Sequence, residues 1–385
     1  MTPLSVALLA GAITLALSLV LPLLVKPLLV RLGIMDVPNE RSSHERPVLR
    51  GLGLAVLIAM LVGGAAAVLL FATRGWTGHA VWDALLVIVI GSLCAGLLGL
   101  TEDLRGLSVP VRSAALLLIA AGSALGVLFA AGQFGGGDGL GHGPGLDGGA
   151  ARPLTAPLAN LAPLSDATTA SSTLPVWGAV LLVVYAVLFI SSYINVANFM
   201  DGLNGISGFH GVIAGLTFAA VGWVQDMPWL VAAGLVLAAG FAGFLPWNLT
   251  KPGAFLGDVG SYLLGGATAL TSFAALVSGA PLLATIGPMV IYFGDVGVTL
   301  VKRVRAGKRW DEPHKEHAYQ RIQQLGYTHV QASATTAGCT ALASLLGIAS
   351  IFTGLWGTLA LLVAGLAVVV FYSLLPTLLP ARTRP

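Results

Sequence analysis

The chain has 385 residues, of which 56% are hydrophobic and only 9% charged, with a formal net charge of +3. Soluble domains carry about a quarter charged residues. No soluble fold of this length hides so much apolar surface behind so few charges, so the composition excludes an ordinary globular enzyme and points to a polytopic membrane protein. No nucleic-acid partner is expected. Cys94 and Cys339 both lie in apolar runs and form neither a disulfide framework nor a metal spacing.

A helix needs about 20 apolar residues to cross the hydrocarbon core. Eleven stretches meet that need: 4–30, 51–72, 81–101, 112–131, 175–196, 205–223, 228–246, 259–278, 281–302, 333–353 and 356–378. The first lacks a basic start and a small-residue cleavage site and is too long for a signal peptide, so it is expected to be a retained span. Backbone groups in lipid must pair internally. The spans therefore predict an all-α, polytopic integral membrane helix bundle of about eleven transmembrane helices, one domain over 1–385.

When the loops alternate sides, one side collects the segments near 31–50, 102–111, 197–204, 247–258, 303–332 and the C-terminus. With their flanks these hold 17 of the 19 basic residues, and only Arg74 and Arg152 fall on the other side. Basic residues concentrate in the cytoplasm. The expected orientation is N-terminus outside and C-terminus cytoplasmic. The one long outside loop, 132–174, is rich in Gly, Ala, Ser, Thr and Pro and reads as flexible. His142 within it is expected to be solvated.

Every unusual polar segment falls on the cytoplasmic side. "DVPNERSSHERPVLRGLG", from Asp36 to Gly53, mixes His44 and Arg50 with other arginines. A basic, non-helical segment at a membrane surface suits an anionic head group or phosphate. In "GLTEDLRGLSVPVR", Glu102 and Asp103 stand where a span meets the cytoplasm. Adjacent carboxylates repel unless a cation holds them. "NVANFMDGLNGISG" places Asp201 among Asn195, Asn198 and Asn204. "WNLTKPGAFLGDVGSYLLGG" brackets Asp258 with Gly257 and Gly260 at the entry to the eighth span, where glycines allow close backbone approach and a helix N-terminus favours phosphate.

Asp295 lies about two turns inside the ninth span, and an intramembrane acid is a functional candidate, with pairing to Lys302 or Arg303 as the structural alternative. In the loop 303–332, "PHKEHAYQR" carries His314 and His317, three apart and so on one face of a helix, with Arg321 a turn further. Two histidines and an arginine can bind phosphate or a sugar diphosphate. His329 and His79 have no comparable context, and His210 sits in a span as a packed polar residue.

The acids Glu102, Asp103, Asp201, Asp258 and Asp295 come from different helix ends and are all oxygen donors. Such donors select Mg²⁺ or Mn²⁺ over zinc. Phosphoryl transfer consists mostly of positioning and charge neutralisation, so the pattern predicts a soluble phosphorylated donor and a lipid-borne partner. The alternative is a cation- or proton-coupled transporter. Transporters tend to show repeats and mid-membrane charge; no repeat is visible here.

The ordered set "DVPNERSSHERP", "EDLRGLS", "NVANFMDGLNG", "FLGDVGS" and "PHKEHAYQR" resembles the polyprenyl-phosphate N-acetylhexosamine-1-phosphate transferases, of the O-antigen-initiating type. The resemblance runs from Asp36 to Arg321. It implies that undecaprenyl phosphate attacks the β-phosphate of a UDP-N-acetylhexosamine at the cytoplasmic face of a bacterial inner membrane. UMP then leaves, and a lipid-linked surface glycan is started. It implies catalytic roles for Glu102, Asp103, Asp201 and Asp258, and Mg²⁺ (or Mn²⁺) held by Asp258, Asp201, Asn198 and Asp103. It implies substrate binding by His44, Arg50, Asn198, Asn204, Asn248, Asp295, His314, His317 and Arg321. Glu102 stands where the family usually has aspartate, and Asn204 where some members do. A homodimer is a possible assembly.

Overall fold

The computed structural model describes residues 1–36, 48–73, 82–131, 176–250, 253–309 and 314–382. His44 and the loop 132–174 lie outside the described residues. Among the described residues, 11 helical stretches are long and apolar enough to cross a membrane, one for each expected span.

Proline divides two of these spans. The first is α1 (Pro3–Val20) followed by α2 (Pro22–Arg31). Pro22 lacks the N–H that would continue the ladder, but its fixed φ suits a first helical position. The ninth is α10 (Leu282–Ile286), a 3₁₀ turn at Gly287–Met289 containing Pro288, and α11 (Val290–Arg305). Between them run α3 (Gly53–Thr73), α4 (Asp83–Arg105), α5 (Val109–Ala130), α6 (Val176–Met200), α7 (Ile206–Val224), α8 (Pro228–Leu249) and α9 (Gly257–Val277). The short helix α12 (Ala318–Gln324) precedes α13 (His329–Ala349) and α14 (Leu355–Leu378).

The layering follows burial. Helix α9 is the axis, with 94% of its most apolar window covered by the rest of the chain, against 17% for α14 at the rim. Small residues let the neighbours close on it: a Cβ on Gly99 of α4 would overlap the Asp258 carbonyl oxygen. Close backbone approach of this kind is how small residues pack helices in lipid, where burial adds little drive.

Two helices run further than their apolar stretches. α4 continues to Arg105 and stops at Gly106, whose φ is +62°. Glu102 and Asp103 are thus in its last turn. α6 continues to Met200, so Asn195 and Asn198 are helical and Asp201 follows the helix end. The polar segments also contain a short hairpin that was not anticipated. β1 (Met35–Asp36) pairs antiparallel with β2 (Val48–Leu49). Next to it Phe255 N donates to Leu49 O (2.8 Å), Leu52 N to Phe255 O (3.1 Å) and Gly53 N to Leu256 O (2.8 Å). These bonds lace the segment carrying Arg50 to the one that opens α9.

Candidate active site

The site is built on the N-terminus of α9. Free N–H groups there attract negative charge, and Asp103 supplies it: its carboxylate accepts from Asp258 N (3.0 Å) and Val259 N (2.9 Å). Arg50 Nε lies 3.0 Å from Asp103 Oδ1 while its Nη2 lies 2.8 Å from Asp258 Oδ2. One guanidinium therefore spans two carboxylates that come from different helices. Asn198 Nδ2 donates to Asp258 Oδ1 (2.9 Å) and to Ser261 Oγ (3.0 Å). Asp103 is closed off, its side chain 1% exposed, whereas Asp258 keeps 19% of its surface open.

Asp201 joins this group from the turn between α6 and α7. Ser207 Oγ donates to its Oδ1 at 2.6 Å. Burial pushes the Asp201 carboxyl up from the usual 3.8 to about 7; the Ser207 hydroxyl opposes the rise, Asp258 and Asp103 add to it, and Arg50 opposes it. Asp103, Asp201, Asp258 and Arg50 thus share one electrostatic environment, with carboxylates in excess.

Glu102 does not face that environment. It is next to Asp103 in sequence, but successive helical residues point about 100° apart. Its oxygens meet Leu107 N (3.0 Å) and Arg112 Nη1 (3.4 Å), which clamps the α4–α5 turn. The expected adjacent pair is therefore split between two sets of partners.

The expected asparagines hold the walls. Asn248 is buried; it accepts from Gly205 N and donates to Ala254 O (2.9 Å). Asn204 Nδ2 donates to Asn248 O (2.7 Å), its Oδ1 lies 3.4 Å from His329 Nδ1, and Ser333 Oγ donates to its carbonyl (2.9 Å). His329 and Ser333 were not anticipated. They lie at the start of α13, about 125 residues from Asn204, and no local pattern marks them.

The histidine segment adopts a different conformation from the one expected. His314 and His317 precede α12 rather than lying on a helix face, yet their ring centroids are 4.9 Å apart. Burial, then the neighbouring His317 ring and Arg303, lower His314 to about 4. Its Nδ1 accepts from Glu316 N (3.3 Å). Arg321 sits on α12 one turn after His317, its N–H donating to His317 O (2.9 Å). Asp295 is buried, and pairs with neither Lys302 nor Arg303 but with His317 Nδ1 (3.2 Å). Arg303 is drawn instead to Glu316 (2.8 Å) and Arg309 O (2.6 Å). Among the described residues, no three of His, Cys, Asp and Glu converge as a ready-made metal cluster.

Comparison with known proteins places this geometry. The decaprenyl-phosphate N-acetylglucosaminephosphotransferase of Mycolicibacterium smegmatis is 28% identical over 341 residues, covering 80% of this chain and 73% of that protein. A probable undecaprenyl-phosphate N-acetylglucosaminyl 1-phosphate transferase of Bacillus subtilis is 23% identical, covering 83% of this chain and 78% of its own length. A phospho-N-acetylmuramoyl-pentapeptide-transferase, again from Mycolicibacterium smegmatis, is 26% identical, covering 90% of this chain and 98% of that protein. The model of glycosyl transferase family 4 matches residues 85–276, the stretch that contributes Asp103, Asn198, Asp201, Asn248 and Asp258 to one end of the bundle. The chain belongs to glycosyl transferase family 4.

Proposed function

We propose that this chain transfers an N-acetylhexosamine 1-phosphate, N-acetylglucosamine by the names of its relatives, from a UDP-sugar to a polyprenyl phosphate. The observation that carries the reading is the gathering of Asp103, Asp201 and Asp258 with Arg50 and Asn198 at the N-terminus of α9. An oxygen of the acceptor phosphate forms a bond to the β-phosphorus of the donor. The bond from that phosphorus to the bridging oxygen breaks, and UMP leaves with the electron pair. The product is a lipid diphosphate sugar, the start of a surface glycan.

The donor set fits Mg²⁺, which keeps waters and shares one or two carboxylates with substrate phosphates, and so needs no three-residue cage. Asp258 and Asp201, with Asn198 beside them, would hold it, and Mn²⁺ fits the same oxygens. The ion would supply charge neutralisation at the transferred phosphoryl group. The protein does the rest. Asp103 fixes the first turn of α9 and so sets where Asp258 stands. Arg50 brings a cation to the phosphate side of the carboxylates. Glu102 holds the α4–α5 turn through Leu107 and Arg112. The site lies at the end of the bundle that carries the basic loops, the cytoplasmic end of a multi-pass bacterial membrane protein.

Purified protein with Mg²⁺, UDP-N-acetylglucosamine and undecaprenyl or decaprenyl phosphate is expected to release UMP and form the lipid diphosphate sugar, read by mass spectrometry. No UMP from these or from other UDP-N-acetylhexosamines would overturn the reading. The transporter alternative wants charge at mid-membrane, whereas these acids stand at helix ends.

A cation's place can be checked without turnover. Asp201 has its folded-state proton affinity raised from 3.8 to about 7. Its neutral form is therefore favoured by folding: that stability is fully present below about pH 4 and is lost as pH rises through about 7. In EDTA the unfolding temperature is expected to fall from pH 5.5 to pH 8. Added Mg²⁺ should raise it more at pH 8, where the carboxylate is ionised. Equal Mg²⁺ shifts at both pH values would remove Asp201 from the ion's neighbourhood.

A further inference from the structure

Asp295, like Glu102, stands apart from the Asp258 group, and its surroundings are unusually complete. Ala318 N donates to both its oxygens (3.0 and 3.1 Å), Tyr372 OH to Oδ2 (2.9 Å) and Thr299 Oγ1 to Oδ1 (3.2 Å). A carboxylate receiving these donors acts as an acceptor only. The fourth neighbour, His317 Nδ1 at 3.2 Å, must then be the donor, so the hydrogen of a neutral His317 ring sits on Nδ1 and its Nε2 is left as an acceptor. A carboxylate behind a histidine orients the ring and selects its tautomer.

The contact reaches further than the ring. The same carboxylate holds Ala318, the first residue of α12, and α12 carries Tyr319. The His317 and Tyr319 rings stack 5.8 Å apart at 13°. Tyr319 OH donates to Phe199 O (3.0 Å), and a Cβ on Gly202 would overlap that hydroxyl. Phe199 and Gly202 flank Asp201. A buried acid on α11 thus connects through His317, Ala318 and Tyr319 to the turn that carries the Asp201 carboxylate, while Tyr372 of α14 ties in the outermost helix.

We infer that Asp295 is a positioning residue for the transfer, resting on the proposed reaction: it holds His317 in the Nδ1–H tautomer and, through the His317–Tyr319 segment, holds the Asp201 turn at its working height. It is not a substrate ligand, because its oxygens are taken up by protein donors.

The test is Asp295→Asn in the full chain, reconstituted in lipid and labelled with ¹⁵N-histidine. The carboxamide keeps the size but has an acceptor for only one of the two sets of donors, His317, Thr299 and Ala318 on Oδ1 or Tyr372 and Ala318 on Oδ2, and carries no charge behind the ring, so the His317 resonances should move away from the fixed Nδ1–H tautomer. UMP release is expected to fall about 10- to 100-fold in kcat, the range for loss of a carboxylate behind a functional histidine, with the donor KM changed less than about 3-fold. Tyr372→Phe removes one donor to the same carboxylate without touching His317. It should keep the wild-type tautomer and a kcat within about 3-fold of wild type, with a lower unfolding temperature. The inference is overturned if Asp295→Asn keeps the wild-type kcat, if it loses activity with the His317 resonances unchanged, or if Tyr372→Phe loses as much. The tautomer readout needs no turnover, so a failure of the proposed reaction, seen as an inactive wild type, is distinguishable from a failure of this inference.

Discussion

Asp258→Asn is expected to lower UMP release by a factor on the order of 10²–10³, the range for removing a group that stabilises charge in a transition state, with the purified protein still folded. Asp258 is the most open of the three clustered carboxylates, and three neighbours aim it: Asp103 through the backbone of α9, Arg50 at 2.8 Å and Asn198 at 2.9 Å. The amide preserves shape and accepts the Asn198 bond but carries no charge for Arg50 or for an ion. Because the amide fills the same space and the side chain keeps 19% of its surface open, the unfolding temperature should change little. Glu102→Gln provides the contrast. Its partners are Leu107 N on one oxygen and Arg112 Nη1 on the other; an amide keeps one of these bonds and gives up the other, and a loss within about 10-fold is expected, less than for charge at the reacting group. Initial rates and thermal unfolding of both variants decide the matter. An active Asp258→Asn would remove Asp258 as the ion's ligand. A Glu102→Gln as inactive as Asp258→Asn would restore Glu102 to the chemistry.

Gly99→Ala should be damaging although no functional group is altered. Its new Cβ would overlap the Asp258 carbonyl oxygen and lie 2.8 Å from Val259 N. Backbone cannot yield as a flexible side chain can, so α4 must withdraw from α9. Overpacking of this kind costs about 1–3 kcal/mol. The withdrawal also pulls Asp103 from the N–H groups it holds at 3.0 and 2.9 Å, so turnover should fall further than stability does. Gly122→Ala on α5 is the control. Nothing lies within 4 Å of its added Cβ, and alanine is the better helix former by about 1 kcal/mol, so stability should hold or rise. Unfolding temperature and UMP release for the two variants are the measurements, and a Gly99→Ala protein that matches wild type in both would show that the helices do not depend on this contact.

The eleven spans were legible because the signal is local. Lipid accepts only helices of about 20 apolar residues, and each such stretch declares itself without reference to the others. The helix ends were less legible. α4 and α6 outrun their apolar stretches, to Arg105 and Met200, since a helix can continue through polar residues once it leaves lipid. The split of Glu102 from Asp103, invisible to a reading that treats neighbours as a pair, follows from that continuation.

By itself, then, the sequence determined the bundle, the end at which its acids gather and the family to which its motifs belong, because hydropathy, charge bias and ordered motifs are properties of short segments. Only the tertiary structure decided the partners. Arg50 spans Asp103 and Asp258 because β2 is laced to the segment before α9; Asn204 meets His329; Asp295 takes His317 and Tyr372 in place of the lysine and arginine nearer in sequence. Such bonds join residues tens to more than a hundred positions apart. Their selection rests on which helices touch, and no segment carries that information alone.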